Sequence, residues 1–249
     1  MPRKTPVVRT GLARVLSKSG YCSRSDARNL IAEGHVRLNG SLVFDPECPV
    51  ISGQDTIQVE GRSLVSADKT YLMLNKPRGI VTTARDEKGR PTVYSLLPKE
   101  TPWVAPVGRL DKASEGLLLL TNDPAWAARI TSPESHIEKT YHVQVATVAN
   151  QALLDQLTAG CNQGGDFLCV KRATIVRSGK KNSWLEIVLD EGKNRHIRRL
   201  LAALGVEVLR LVRVAIGPLQ LGELAKGGAR SLTREESDAL FARRSAGLQ

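Results

Sequence analysis

The 249-residue sequence has few aromatic residues and no long apolar run. Phe, Trp and Tyr together make up 4% of the chain, so an extended wall of base-stacking platforms is not expected. The longest clean apolar runs are short, as at residues 117–120, whereas a membrane span needs about 20 apolar residues. The basic first ten residues lack the apolar stretch of a signal peptide. We therefore expect a cytoplasmic protein that contacts no membrane.

The usual signatures of metal and nucleotide sites are also missing. The four cysteines form no C-x-x-C pair, and the four histidines show no zinc-ligand spacing. The G-K-K at residues 179–181 lacks the spacing of a phosphate-binding P-loop, and neither G-x-G-x-x-G nor G-x-S-x-G occurs. We expect the cysteines to be reduced, partly buried thiols, and we predict no metal site.

The composition does contain a strong positive charge. Lys and Arg number 36 against 25 Asp and Glu, which gives a formal net charge of +11. The excess is dense in residues 1–40, where eight Lys or Arg stand against two acidic residues. This balance favours a polyanionic partner held by phosphate contacts, although a plain solvated basic surface has the same composition. Hydrophobic residues at 41% are typical of a folded chain.

The first quarter of the chain predicts a small module of two helices and a hairpin. Residues 12–18 read as a short helix, and Ser23 is placed to cap a second helix that stops at Gly34. Asn39-Gly40 is a strong hairpin signal between two short apolar runs, and a further strand follows at residues 56–59. From the residues alone, a nucleic-acid contact surface, a DNA-binding helix-turn-helix and a protein-contact module all remain open.

The run S-R-S-D-A-R-N-L-I-A-E-G-H-V-R-L-N-G, at residues 23–40, resembles the alpha-L RNA-binding module of a small-subunit ribosomal protein and several RNA-modifying enzymes. The resemblance covers about the first quarter of the chain and implies binding of structured RNA, with Arg24, Arg28 and Arg37 as phosphate contacts. We assign this domain to residues 9–62 and a linker to residues 63–69.

The remainder alternates strands with helices and also contains hairpin-like runs of strands. This pattern predicts an α+β domain over residues 70–236, with a mixed, mostly antiparallel sheet flanked by helices. Asn150 and Asn194 are predicted helix caps, and Thr233 with Glu236 forms a capping box for a last helix. Residues 237–249 are expected to be the end of that helix and a tail.

Two segments of this larger domain could carry chemistry. In V-G-R-L-D, Asp111 follows a strand and lies in a turn, two residues after Arg109. A carboxylate beside an arginine stays ionised and can act as a nucleophile or base, but a purely structural turn pair has the same pattern. In E-G-K-N-R-H-I-R-R-L, cations gather at a helix start, where only an opposing anion makes them favourable. RNA phosphate, a buried Asp or simple solvation would each fit.

Four segments together resemble the pseudouridine synthases that carry an alpha-L domain, the family of the small-ribosomal-subunit enzyme: L-N-K-P-R-G, G-R-L-D-K-A-S-E-G-L-L-L-L-T-N-D, E-K-T-Y-H-V and G-K-N-R-H-I-R-R-L. They occur in the family's order between residue 74 and about residue 213. The chain departs mildly from the family pattern at Ser114, Pro124, Lys193 and His196. None of these departures removes a reactive group.

The resemblance implies a role for each matching residue. Asp111 would be catalytic, Tyr141 would stack on the target uracil, and Arg198 would pair with Asp111. Arg109 would help to displace the base, and Ile197 would pack against it. Further expected RNA contacts are Lys76, Lys193 and Arg195.

The implied reaction is the isomerisation of a uridine in ribosomal RNA to pseudouridine by a monomeric enzyme. It moves the ribose carbon-1 bond from uracil nitrogen-1 to carbon-5, keeps every atom and needs neither cofactor nor metal. The base must be flipped out of the folded RNA, and either a covalent adduct or a glycal intermediate fits. The alternatives are a non-catalytic RNA-binding or ribosome-assembly factor and, less consistent with the motifs, a DNA-binding regulator.

Overall fold

The computed structural model describes residues 9–242 of the chain. The chain divides into two compact units, which are described one at a time. The smaller unit runs to Thr70 and also takes in residues 98–105 and 120–124, and the larger unit holds the rest. Across residues 9–242, every helix is too short or too polar to span a lipid bilayer.

Residues 9–70, the described N-terminal part of the smaller unit, contain two short helices and six short strands. The helices are α1 (Leu12–Lys18) and α2 (Arg24–Ala32), and the strands are β1 (Arg9–Gly11), β2 (Val36–Leu38), β3 (Ser41–Leu42), β4 (Pro49–Ile51), β5 (Ile57–Val59) and β6 (Arg62–Ser63). Strand β1 pairs with β4, and the other four form a sheet in the order β3-β2-β5-β6.

Local signals in the sequence explain most of this unit. Ser23 caps α2 by accepting a hydrogen bond from the Asp26 amide, and Gly34 follows the helix with a φ of +79°. Asn39 and Gly40 both have positive φ, as the tight turn between β2 and β3 requires. These predictions are confirmed. The apolar faces of the two helices, including Leu16 and Ile31, pack with the strands into one small core.

The segment predicted as a linker is tied to the N-terminal unit. Leu64 N–H donates to the Ile57 carbonyl, and Ala67 N–H donates to Ser19. Further along, the Asn122 side chain accepts from Thr70 N–H. All three of these hydrogen-bond partners belong to the smaller unit.

Up to residue 242, the larger unit is built on one main sheet with four helices. The elements from Thr70 onward are β7 (Tyr71–Lys76), β8 (Ala105–Val107), β9 (Glu115–Thr121), α3 (Pro124–Thr131), β10 (Lys139–Val145), α4 (Gln151–Ala159), β11 (Cys161–Gln163), β12 (Asp166–Leu168), β13 (Arg172–Ser178), β14 (Ser183–Leu189), α5 (His196–Ala203), β15 (Val208–Ile216), β16 (Leu219–Gln220), β17 (Ala229–Ser231) and α6 (Arg234–Ala239). Two 3-10 turns lie at Val93–Leu96 and Pro133–Ser135. The predicted caps Asn150 and Thr233 are both formed.

The sheet is mixed and mostly antiparallel, which confirms the α+β prediction. Its strands follow the order β13-β14-β10-β15-β9-β7-β17, with β16 beside β15 and β8 beside β9. Strand β10 is antiparallel to both β14 and β15, whereas β15 runs parallel to β9. Strands β11 and β12 form a separate hairpin that the sequence analysis did not predict.

Alternation along β10 separates the two faces of the sheet. Val143 and Val145 lie in a core with Leu185 and with residues of α4 and α5. Tyr141 is on the same face but only partly buried, so its ring lies at the margin of that core. The intervening residues of β10 point to the opposite face. This arrangement places Tyr141 beside the start of α5 and the turn that carries Asp111.

Candidate active site

A pocket of about 440 Å³ opens at the margin of the core, between the turn after β8, strands β10 and β15, and the start of α5. It brings together seven of the residues singled out from the sequence: Arg109, Asp111, Tyr141, Lys193, Arg195, Ile197 and Arg198. Six Lys or Arg side chains and three carboxylates line it, so the pocket is positively charged. Such a lining favours a phosphate-bearing ligand.

Lys76 holds the turn that carries Asp111 by hydrogen bonds to its backbone. The side chain of Lys76 is fully buried, and its ammonium group donates to the carbonyl oxygens of Asp111 at 3.1 Å and Ser114 at 2.8 Å. Thr82 Oγ1 donates to the Leu110 carbonyl at 2.8 Å. The prediction that Lys76 contacts RNA is wrong, because its charged end bonds the protein backbone and is shielded from solvent. Lys76 instead positions the turn.

Burial lowers the pKa of Lys76 from 10.5 to about 8, although the nearby carboxylates of Asp111 and Glu115 oppose the shift. The unfolded chain therefore keeps this proton to higher pH than the folded chain does. We expect the free energy of unfolding to rise between pH 8 and pH 10.5, by up to about 3 kcal/mol from this group. Urea unfolding of wild type and Lys76→Met at a series of pH values measures it. The free energy of unfolding of wild type minus that of Lys76→Met should increase from pH 8 to pH 10.5. A difference that stays constant with pH would contradict the assignment.

The carboxylate of Asp111 pairs with Arg195, not with either arginine favoured from the sequence. Arg195 Nη1 lies 3.6 Å from Asp111 Oδ2, and the Asp111 side chain keeps 34% of its exposure. Among residues 9–242, no other cation lies within 4.0 Å of that carboxylate. The predicted direct ion pair between Asp111 and Arg198 is therefore absent here, and so is the Arg109–Asp111 turn pair.

The backbone at Arg195 explains this pairing. Arg195 is the N-cap of α5 and has a left-handed conformation with a φ of 50°, which is uncommon for a residue other than glycine. No side chain caps the helix, so the predicted cap by Asn194 is wrong. The left-handed turn directs the Arg195 side chain to Asp111. Unusual backbone conformations of this kind cluster at functional sites.

The Arg198 side chain contacts the backbone of the turn that carries Asp111. Its Nη2 donates to the Ala113 carbonyl at 3.1 Å, and its Nη1 to the Val208 carbonyl at 3.5 Å. Burial, assisted by neighbouring Arg195, lowers the pKa of Arg198, while Asp111 acts in the opposite direction. Arg198 therefore lies near Asp111 and adds positive potential around its carboxylate without a direct ion pair.

Two pocket cations were missed from the sequence. Arg213 lies on β15, directly opposite Tyr141 of β10, and is 6% exposed. Its Nε donates to the Leu117 carbonyl at 2.7 Å. Its Nη2 is buried without a hydrogen-bond partner in the described part of the chain, and Arg213 is among the residues that line the pocket. Lys139 is the second cation, and burial together with Arg213 lowers its pKa. An arginine among the inward-facing apolar residues of β15 was the signal that could have found Arg213.

The start of α5 is also braced against the β11–β12 hairpin. Lys193 Nζ donates to the Phe167 carbonyl at 2.7 Å, and Arg199 pairs with Asp166 at 2.7 Å. His196 is 3% exposed, and burial lowers its pKa, so it is neutral at pH 7. Lys193 thus has a structural contact as well as a place in the pocket.

Comparison with known proteins settles the family. The RNA pseudouridylate synthase family matches residues 70–203, and the S4 domain family matches residues 10–53. The chain belongs to the RNA pseudouridine synthase family. It is an isomerase with an N-terminal S4 RNA-binding domain followed by a pseudouridine synthase domain.

Full-length relatives agree with this assignment. An uncharacterized RNA pseudouridine synthase of Aquifex aeolicus is 38% identical over 92% of each chain. The ribosomal large subunit pseudouridine synthase B of Bacillus subtilis is 36% identical over 93% of this chain and 95% of its own. A crystal structure of a pseudouridylate synthase superposes with a TM-score of 0.64 at 33% identity, covering 93% of this chain and 99% of that one.

The three arginines predicted in the S4 domain belong to the smaller unit, whereas the pocket residues belong to the larger unit. Arg24 and Arg28 both pair with Glu47, at 3.6 Å and 2.9 Å. Arg37 donates to the Gly40 carbonyl at 2.8 Å. The side chains of Arg24 and Arg28 are each 54% exposed, so their charges remain open to solvent. Their contact with RNA stays a prediction.

Proposed function

We propose that this pseudouridine synthase isomerises one specific uridine of ribosomal RNA, with Asp111 as the catalytic carboxylate. The observation that carries the proposal is the shared pocket: Asp111, Tyr141 and Arg198 line one positively charged cavity. The Bacillus subtilis relative is named for the large ribosomal subunit, so RNA of that subunit is the first substrate to test.

The proposed reaction starts with a uridine flipped out of the folded RNA. Its uracil stacks on Tyr141, and phosphates around it meet Arg109 and Arg195. Asp111 then attacks ribose carbon-1 or removes a ribose proton, and either step releases uracil from the bond to nitrogen-1. The freed uracil turns and its carbon-5 bonds to ribose carbon-1. In the covalent route this bond displaces the Asp111 oxygen from carbon-1, and in the glycal route Asp111 returns the proton to the ribose, so the carboxylate is regenerated. The proton on carbon-5 goes to solvent, and nitrogen-1 ends with a proton.

The charges of the pocket support these roles. The released uracil carries negative charge, and cationic donors such as Arg198 and Arg213 are fixed by backbone carbonyls before any substrate binds. Fixed donors stabilise such a charge without having to reorganise. Arg195 serves as the counter-ion of Asp111 in the RNA-free enzyme and is exposed enough to meet a phosphate when RNA binds. Every group in this scheme comes from one chain, so the proposed enzyme can act as a monomer, and we propose in addition that it acts in the cytoplasm.

Tritium release tests the proposal against a non-catalytic RNA-binding or ribosome-assembly factor. The purified full chain is incubated with ribosomal RNA transcripts whose uridines carry tritium on carbon-5. We expect release of one tritium per target site from the large-subunit transcript and none from a transcript in which that uridine is replaced by cytidine. Tight, salt-sensitive binding with no release from either subunit's RNA would favour the non-catalytic factor.

A further inference from the structure

A second depression lies on the sheet face opposite the pocket. Tyr141 and Val143 of β10 point to the pocket and core, so His142 and Gln144 point to the other face. The back-face groove on that side has a volume of about 390 Å³, which is within the usual range for ligand sites. Its lining residues include Val176, Arg177, Trp184, Arg210, Val212 and Val214.

The groove contains a row of side chains in register across four strands. Arg177 is opposite Trp184, Trp184 is opposite Gln144, and Gln144 is opposite Arg210. The guanidinium carbons of Arg177 and Arg210 lie 5.4 Å and 5.6 Å from the Trp184 ring centroid. Both distances are within the cation–π range of about 6 Å. Two arginines therefore lie within cation–π distance of Trp184.

Arg210 is fixed in place by a buried acid. Its Nε and Nη2 each lie 3.2 Å from the carboxylate of Glu115, whose side chain is 4% exposed. Lys226 Nζ also bonds that carboxylate, at 2.6 Å. This ion-pair cluster fixes one side of the groove before any ligand arrives, which reduces the ordering cost of binding.

The other side of the groove carries free positive charge. Arg177 is exposed, and within residues 9–242 no carboxylate lies within 4.0 Å of its guanidinium. Lys180 and Lys181 are exposed in the turn that follows β13. Glu186, a second acid beside this groove, lies 3.4 Å from His142. Exposed cations next to apolar side chains and an aromatic ring favour a nucleic-acid strand as the ligand over an uncharged partner.

We propose that the back-face groove binds a strand of the substrate RNA that flanks the target uridine. Phosphates of that strand contact Arg177, Lys180 and Lys181, and one base rests on Trp184 and the adjoining valines. This inference rests on the proposed function, which supplies the RNA. Strand β13 is the edge of the sheet, two strands from β10, so about 10 Å separates the row of Tyr141 from that edge. In this proposal the RNA strand leaves the pocket and passes around this edge to the back face.

A charge-reversal pair tests the groove in the full-length chain. Arg177→Glu is compared with Arg234→Glu, which makes the same change at a side chain that is 92% exposed on α6. Binding of large-subunit RNA fragments is measured across a salt series. For Arg177→Glu we expect about tenfold weaker binding and a salt slope lower by about 1, the loss of one phosphate contact. Arg234→Glu should stay within about twofold of wild type in the same assay.

Photocrosslinking supplies a readout that does not depend on affinity. RNA carrying 5-iodouridine on each side of the target is irradiated with wild type, and the linked peptide is sequenced. We expect a crosslink at Trp184 that Arg177→Glu weakens. Equal RNA affinity and equal salt slope for the two variants, or crosslinks confined to the pocket face, would refute RNA binding in the back-face groove. Neither outcome would contradict the proposed function. A wild type that releases no tritium but still shows both effects would overturn only the proposed function.

Discussion

Replacing Asp111 by Asn abolishes pseudouridine formation while RNA affinity stays nearly unchanged. The amide has the shape of the carboxylate but can neither attack ribose carbon-1 nor accept a ribose proton, so both routes are closed. We expect the single-turnover rate to fall by about 10⁴-fold or more, as it does when an enzyme loses its nucleophile. RNA binding depends on cations that the substitution leaves in place. Chemical mapping of pseudouridine, with a filter-binding Kd, measures both quantities.

Asp190→Asn is the matched control for this experiment. Asp190 lines the same pocket, so its substitution removes the same charge by the same chemical change. We expect the Asp190 variant to keep its rate within about tenfold of wild type, since a nearby charge that touches no reacting atom acts only through the pocket potential. A normal rate in the Asp111 variant, or equal losses in both variants, would refute the catalytic assignment.

Gly116→Ala is expected to unfold the larger unit or to destabilise it by about 3 kcal/mol or more. Gly116 has a φ of +100°, and an added Cβ would lie 2.2 Å from the Arg213 carbonyl oxygen. At this point β9 runs parallel to β15, with Gly116 opposite Arg213. A methyl group can be accommodated only if the two strands separate, and that movement would displace Arg213 from its place beside Tyr141.

Gly222→Ala separates the clash from the cost of the backbone conformation. Gly222 also has a positive φ, +56°, but nothing lies within 4 Å of the Cβ that a substitution would add. The Gly222→Ala substitution should lower the free energy of unfolding by only about 1 kcal/mol, the usual penalty for a non-glycine residue in the left-handed region. Urea unfolding at a constant pH measures both variants. Similar losses for the two would mean that close approach of β9 and β15 is not what requires glycine at position 116.

The parts that sequence predicted well are specified by neighbouring residues. The α2 cap at Ser23, the turn at Asn39-Gly40 and the Thr233 capping box each need only a few consecutive residues, and all three are present. The amphipathic pattern of α5 likewise placed Ile197 and Leu200 in the core. Local chemistry was enough for these features, because the interactions involved span three or four positions.

The parts that sequence did not predict depend on contacts between distant segments. Lys76 and Asp111 are 35 positions apart, and nothing local shows that the lysine would be buried beneath the turn. The choice between Arg195 and Arg198 as the partner of Asp111 depends on a left-handed residue at the start of α5, where Asn194 looked like the better cap. The parallel contact of β9 with β15 joins segments nearly 100 residues apart.

The most direct test of the central claim is the structure of the Asp111→Asn enzyme bound to its target RNA. We expect the target uridine to be flipped out of its helix, with the uracil stacked on Tyr141 and ribose carbon-1 next to the side chain at position 111. Arg195 should have left that side chain for a phosphate. A target base still stacked inside the RNA, with the pocket holding no nucleotide, would contradict the account.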